Sequence, residues 1–256
     1  MKKSYGQHFL KDKSVIKKII ESAELQNGDF VIEVGPGAGA LTSEIISLIS
    51  PIRPIRLILI EADSDLLPNL RSQFSGTQLI NADAAKVDVD QLTNRKDWIF
   101  LSNLPYNSAN AILMNMLTAK NPPIRSIVMV QKEVGDKILA RSGEMSLLSV
   151  AVQMYSNPKR VCIVKPGSFI PSPKVDSIVL RLDKKECPKY AEKVIELAKI
   201  GFSSRRKQLH RNLIDAKISQ SDRIKDALIS MGLSPSARAQ ELSIEQWIKL
   251  YDLLKK

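Results

Sequence analysis

Three groups of residues in this chain have the types and spacing to do chemistry on a nucleoside. The first is Asn103-Leu104-Pro105-Tyr106, at the end of the apolar run Trp98-Ile99-Phe100-Leu101. Pro105 has a fixed φ and biases Leu104 to an extended backbone, so the Asn103 amide and a neighbouring carbonyl can point the same way. That pair can grip the exocyclic amine of a flat base, and Tyr106 can offer a stacking face. The second group is Glu33-Val34-Gly35-Pro36-Gly37-Ala38-Gly39, a glycine-rich turn after a short apolar run. Its glycines let the backbone turn sharply and approach a ligand, and the helix that follows offers free N–H groups. The third is a pair of acids, Glu61 after Leu57-Ile58-Leu59-Ile60 and Asp83 after Leu79-Ile80-Asn81-Ala82. An acid at Glu61 can take both hydroxyls of a ribose, and one at Asp83 can meet an adenine amine.

Taken singly, each group has an ordinary reading: a strand ending in a proline turn, or a surface carboxylate. Taken together, three acids at successive strand ends line the carboxyl edge of a sheet, where open α/β folds bind ligands. A nicotinamide enzyme would usually carry Gly-x-Gly-x-x-Gly and a hydride-transfer site, and neither is found.

The elements that must position these groups follow from periodicity. Apolar residues at helical spacing predict a helix over 12–25, with Asp12 or Ser14 as cap. Strands are predicted at 30–34, 56–60, 78–80, 98–101 and 124–130, with helices at 41–49, 64–73 and 109–117 between them. Short apolar strands alternating with helical patterns describe an α/β domain, its sheet mostly parallel and covered on both faces. Helices at 132–140 and 145–155 follow, then two β-rich stretches, 160–164 and 175–182, expected as antiparallel edge strands. Pro51 and Pro54 bound a loop. Beyond a charged linker at 184–188 only helices are read, at 190–201, 205–213, 221–231 and 244–254. The division expected is a main domain over 1–183 and a small helical domain over 184–256.

The net charge of +11 is unevenly placed: residues 1–20 hold six Lys against one Asp, and residues 181–256 hold 17 Lys and Arg against 10 Asp and Glu. Basic ends on a nearly balanced middle read as a footprint for a polyanion, nucleic acid before membrane. Two cysteines, Cys162 and Cys187, and two histidines, His8 and His210, supply neither a disulfide framework nor a metal cluster. Free thiols in a reducing cytosol are expected. The start lacks the apolar core of a secretory signal, and no apolar run is long enough to span a bilayer.

The glycine spacing with Asn-Leu-Pro-Tyr after the fourth strand resembles the class I S-adenosylmethionine methyltransferases that modify amino groups of bases. The chain then resembles, almost end to end, the bacterial small-subunit ribosomal RNA adenine dimethyltransferases of the KsgA family. The likeness is carried by Ser4-Tyr5-Gly6-Gln7-His8-Phe9-Leu10, the 33–39 turn, Asn103-Leu104-Pro105-Tyr106-Asn107 and Gln131-Lys132-Glu133-Val134. It continues through Phe169-Ile170-Pro171-Ser172-Pro173-Lys174-Val175-Asp176-Ser177 and Phe202-Ser203-Ser204-Arg205-Arg206-Lys207.

The resemblance implies a Rossmann-like methyltransferase sheet with a helical C-terminal domain. It also implies transfer of two methyls to N6 of each of two adjacent adenines in the 3′-terminal hairpin of 16S rRNA, in the assembling 30S subunit. By the same likeness, the backbone at His8 and Leu10 closes over the cofactor, Gly35 and Gly37 contact it, Glu61 binds its ribose and Asp83 its adenine. Asn103 lies where cofactor and target base meet; Leu104, Pro105 and Tyr106 complete the acceptor grip, with Phe169 stacking on the far face of the base. Arg205, Arg206, Lys207 and Arg211 form a basic helical cluster with His210 for RNA phosphates. No metal is implied, and a cytoplasmic monomer is expected. The family position matching His8 is often Asn. Where relatives have Tyr-Gly-Arg before a Leu-Ser-Val stretch, this chain has Gly143-Glu144-Met145-Ser146-Leu147. The nearest rival is the macrolide-resistance methylase group, which modifies large-subunit rRNA. A non-catalytic assembly factor is a rival of another class.

Overall fold

The computed structural model describes residues 8–48 and 55–255. Residues 4–7 of the opening motif, the proline-bounded loop and the end of the helix expected over 41–49 lie outside the described residues. Two compact units are present: residues 1–135 with 156–184, and residues 136–155 with 185–256.

The first unit is built on a seven-stranded sheet in the order β4-β3-β2-β5-β6-β9-β7. The strands are β2 (Phe30–Val34), β3 (Arg56–Glu61), β4 (Gln78–Asn81), β5 (Trp98–Asn103), β6 (Arg125–Gln131), β7 (Ser156–Val164) and β9 (Ser177–Lys184). The first five pair in parallel; β9 runs antiparallel between β6 and β7. Of the two β-rich stretches expected at an edge, only the one in β7 lies there, opposite the other edge strand β4, and the expectation that 175–182 forms an edge is corrected. Its run Ile178, Val179, Leu180 is buried on both faces, as an interior strand requires.

Helix α1 (Lys13–Ala23) starts where Asp12 Oδ1 accepts from the Ser14 and Val15 N–H groups, an N-cap chosen between the two candidates in the sequence. Its Val15, Ile16 and Ile19 join Leu41 and Ile45 of α2 (Ala40–Ser47) in a core with Val31, Leu59, Leu101, Ile127 and Met129 of the sheet. The alternate strand positions Ile32, Ile58, Ile60, Phe100 and Val128 are buried too, so both faces are covered. Helices α3 (Leu67–Gln73), α4 (Ala109–Leu117) and α5 (Lys132–Ile138) complete the connections. Two strands of two residues each, β1 (Phe9–Leu10) and β8 (Phe169–Ile170), pair antiparallel as a separate ribbon.

The second unit contains α6 (Leu147–Tyr155), α7 (Ala191–Gly201), α8 (Leu209–Asp215), α9 (Ser221–Ser230) and α10 (Ile244–Leu254). Its core joins Met145, Val150 and Met154 to Val194, Leu213, Leu228 and Trp247. The boundary expected at 184 is thus corrected for residues 136–155. Their apolar stripe belongs to the helical core, and helical periodicity cannot say which core a stripe will join. The helix expected over 205–213 begins only at Leu209; residues 202–207 are turns. Asn212 explains this, because its buried amide donates to the carbonyls of Gly201 (2.6 Å) and Ser204 (3.1 Å) and holds the chain in a turn after α7.

Candidate active site

The chain runs outward from β2 through β3 to β4, then returns to lay β5 on the other side of β2. The carboxyl ends of β2 and β5 are therefore the point where an open α/β sheet leaves a crevice. A cavity of about 510 Å³ opens there, within the range of small-molecule sites, about 300–1,000 Å³. Its lining takes residues from four adjacent strand ends: Asn81 at the end of β4 and Asp83 beyond it, Glu61 at β3, Gly35 and Gly37 beyond β2, and Asn103 to Tyr106 at β5. His8 and Phe9 close it from the N-terminal ribbon.

The glycine turn is required by backbone geometry. Gly35 and Gly37 have φ of 68° and 59°, the left-handed region that disfavours a Cβ. A Cβ on Gly37 would also lie 2.9 Å from the Phe9 ring, so the turn and the N-terminal ribbon pack against each other only with glycine there. The turn is pinned beneath by Gly35 N–H donating to the Ile60 carbonyl (2.9 Å), and by the Ser102 hydroxyl donating to the Val34 carbonyl (2.7 Å).

Glu61, only 6% exposed, accepts from the Gly37 N–H (3.3 Å) and the Asp63 N–H (2.9 Å). Burial raises its pKa, opposed by those backbone donors. Asn81 donates to the Glu61 carbonyl (2.8 Å) and ties β4 to β3 at the rim. Asp83 is exposed, and accepts from the Ala85 N–H (3.0 Å). Glu33 departs from the expected row of acids. It lies within β2, opposite Leu59 and Leu101, does not line the cavity, and accepts from the Thr42 hydroxyl at 2.7 Å. Burial pushes its carboxyl up to about 8.

At the β5 end of the cavity the Asn103 Nδ2 donates to the His8 carbonyl at 3.0 Å. With the NH₂ so engaged, the amide oxygen is the atom left to meet a ligand's donor. Tyr106 makes a 2.6 Å hydrogen bond with Ser177, and its ring lies 5.4 Å from the His8 ring. The His8 Nδ1 donates to the Pro171 carbonyl at 2.7 Å. Burial raises the Tyr106 hydroxyl pKa, so it stays neutral at physiological pH.

Two sequence-predicted residues lie elsewhere. Leu10 is buried beneath the ribbon and does not line the cavity. Phe169, expected to wall the base pocket, is 1% exposed, packed in the core opposite Leu10, and does not line the cavity. Pairing of β8 with β1 turns Phe169 inward. The basic residues Arg205, Arg206 and Lys207 are exposed on the turn before α8, and Arg211 is exposed on that helix. Lys207 is paired with Asp215 at 3.0 Å. His210 is buried and its pKa lowered, first by burial and then by Lys225, which removes it from the cationic cluster. Ser177, Ser102 and Asn81 were not singled out from the sequence. Their signal was a polar residue closing or opening an otherwise apolar strand.

The sheet order, the glycine turn at the switch point and the acid at the end of β3 define a class I methyltransferase that uses S-adenosylmethionine. The ribosomal RNA adenine dimethylase model matches residues 1–256, and the chain belongs to that family. It is 39% identical to Ribosomal RNA small subunit methyltransferase A of Clostridium botulinum (strain ATCC 19397 / Type A), over 98% of this chain and 93% of the relative. It is 35% identical to the protein of the same name from Thermosynechococcus vestitus, over 99% and 97%. Among solved structures, 23S rRNA methyltransferase ErmE aligns with a TM-score of 0.74 and 27% identity, over 97% of this chain and all of that one. A dimethyladenosine transferase from Plasmodium falciparum has the same fold, with a TM-score of 0.78 at 23% identity over 95% and 96%. Among the described residues no cluster of His, Cys, Asp and Glu could hold a metal, and no helix is long and apolar enough to cross a membrane.

Proposed function

We propose that the chain methylates N6 of two adjacent adenines in the 3′-terminal hairpin of 16S rRNA, giving N6,N6-dimethyladenine as the 30S subunit assembles. It acts as a cytoplasmic monomer, the first unit carrying the chemistry and the second binding RNA. The observation that carries this reading is the Asn103 amide, fixed by the His8 carbonyl in the same cavity as Gly35 and Glu61. S-adenosylmethionine, when bound, supplies an electrophilic methyl on a sulfonium centre. The cavity fits it: a cradle free of Cβ atoms at Gly35 and Gly37 beside a buried carboxylate suits an amino-acid portion next to a ribose.

Glu61 takes the ribose hydroxyls, held by the Gly37 and Asp63 N–H groups in one orientation. Asp83 meets the cofactor adenine, while Gly35 and Gly37 meet the amino-acid end. His8 and the backbone to Leu10 close the N-terminal side. The lone pair of adenine N6 is delocalised into the ring, so the amine is a weak nucleophile. Asn103 Oδ1 and the Leu104 carbonyl accept its hydrogens, favour a pyramidal nitrogen and aim its lone pair; Pro105 fixes that arrangement and Tyr106 stacks on the base. Neutral acceptors suit a nitrogen that becomes cationic. Once the cationic nitrogen has released a proton to water a single N–H remains, so the second methyl is added with one acceptor unused. Phe169, in the core, holds the N-terminal ribbon through Leu10. Arg205, Arg206, Lys207 and Arg211 contact phosphates.

The test is incubation of unmethylated small subunits and, separately, large subunits with labelled S-adenosylmethionine, followed by nucleoside mass analysis. N6,N6-dimethyladenosine in 16S rRNA is expected. Modification confined to the large subunit would move the assignment to the rival methylase group.

A further inference from the structure

The ribbon of β1 and β8 has two unlike faces. Phe9 stands opposite Ile170, and Leu10 opposite Phe169. Residues directly opposite in an antiparallel pair project to the same side. Leu10 and Phe169 form the buried face. On the other face Phe9 lines the cavity, while Ile170 beside it is 56% exposed. Val175, five residues on, is 46% exposed, with exposed Lys174 before it. Ile170 is also tied to the acceptor end, since the next carbonyl, that of Pro171, binds the His8 ring that lies against Tyr106. An isoleucine is thus held out in water at the rim where a base would enter.

A base reaches such a pocket only by leaving its stack, and the gap it leaves exposes apolar ring faces. Proteins that unstack bases insert Phe, Leu, Ile, Met or Pro into such gaps. We propose that Ile170 is the wedge that enters the stack vacated by the target adenine. Val175 extends its apolar edge, and Lys174 meets a flanking phosphate. The inference rests on the adenine methylation proposed above and adds the residue that drives extrusion.

An rRNA hairpin with 2-aminopurine in place of one target adenine reports unstacking as a rise in emission, independently of methyl transfer. Wild-type protein should raise the emission. Ile170→Ala should bind the hairpin with most of that rise lost, and should methylate intact small subunits about tenfold more slowly, with S-adenosylmethionine affinity unchanged. Ile170→Leu should restore both readouts. Ile170 is exposed, so none of these variants threatens folding. A full emission rise and full rate for Ile170→Ala, while the wild type methylates normally, would overturn the wedge alone. Normal unstacking of the hairpin with weakened binding to intact subunits would assign the patch to a ribosomal protein and overturn it as well. Absence of dimethyladenosine with the wild type would instead remove the functional reading on which the wedge stands.

Discussion

The two ends of the central sheet treat charge in opposite ways. At the amino end, Arg125 and Arg181 meet Glu24 and Asp183 in a network of ion pairs. The same two guanidinium groups donate to the Ala23 and Ser22 carbonyls at the end of α1. Arg181 beside Glu24 holds that carboxyl below its usual range. Both acids of that network have their cations. At the carboxyl end, Glu61 is more buried, yet the groups that hold it are the Gly37 and Asp63 N–H groups, and burial pushes its pKa up. A cluster that neutralises itself closes a structure. A buried carboxylate held by dipoles alone keeps its capacity for a ligand's hydroxyls.

That contrast can be broken by mutation. The largest effect on binding is expected for Glu61→Ala: cofactor affinity should fall about 100-fold, since hydrogen bonds to a charged group contribute about 1.5–3 kcal/mol. Calorimetric titration with S-adenosylmethionine measures it, and an unchanged Kd would remove Glu61 from the site.

On stability, the larger effect concerns Glu33. Its folded pKa is about 8 against an ordinary 4.5, so between those pH values the native state holds a proton that the unfolded chain has released. Stability should therefore fall as pH rises from about 4.5 to about 8, by at most about 1.4 kcal/mol per pH unit, and level off above. Urea unfolding across this range should show that slope for the wild type and a flatter one for Glu33→Gln.

The smallest effect is Arg181→Ala at the other end of the sheet. A loss of about 1–2 kcal/mol in stability is expected, with cofactor affinity unaltered, because the pairs are only partly screened from water. A shift in affinity there would mean that the two ends of the sheet are coupled.

Much of this was legible in sequence. β2 and α4 have the predicted bounds, and β3 and β4 end one residue later, because short apolar runs between glycine, proline and acidic punctuation leave few alternatives. That Asn103–Tyr106, the glycine turn and Glu61 share one edge of the sheet was legible for the same reason: each closes a strand. What escaped was set by contacts distant in sequence. β1 and β8 are two residues long and carry no periodicity, so neither their pairing nor the inward turn of Phe169 could be read. Glu33 looked like a strand-end acid because nothing local announces that Thr42 satisfies it. The basic cluster read as a helix until the Asn212 amide was seen capturing the carbonyls before it.

The contact between Asn103 and His8 has a consequence for the order in which the enzyme is made. His8 leaves the ribosome well before Pro171, which follows 163 residues later and fastens its ring. A chain released up to the end of β6 already carries the glycine turn, Glu61 and the tetrapeptide. It lacks β8, the partner that holds its own beginning in place. A segment made before the sheet is thus seated only after it, and the cavity is finished by residues from beyond the five parallel strands.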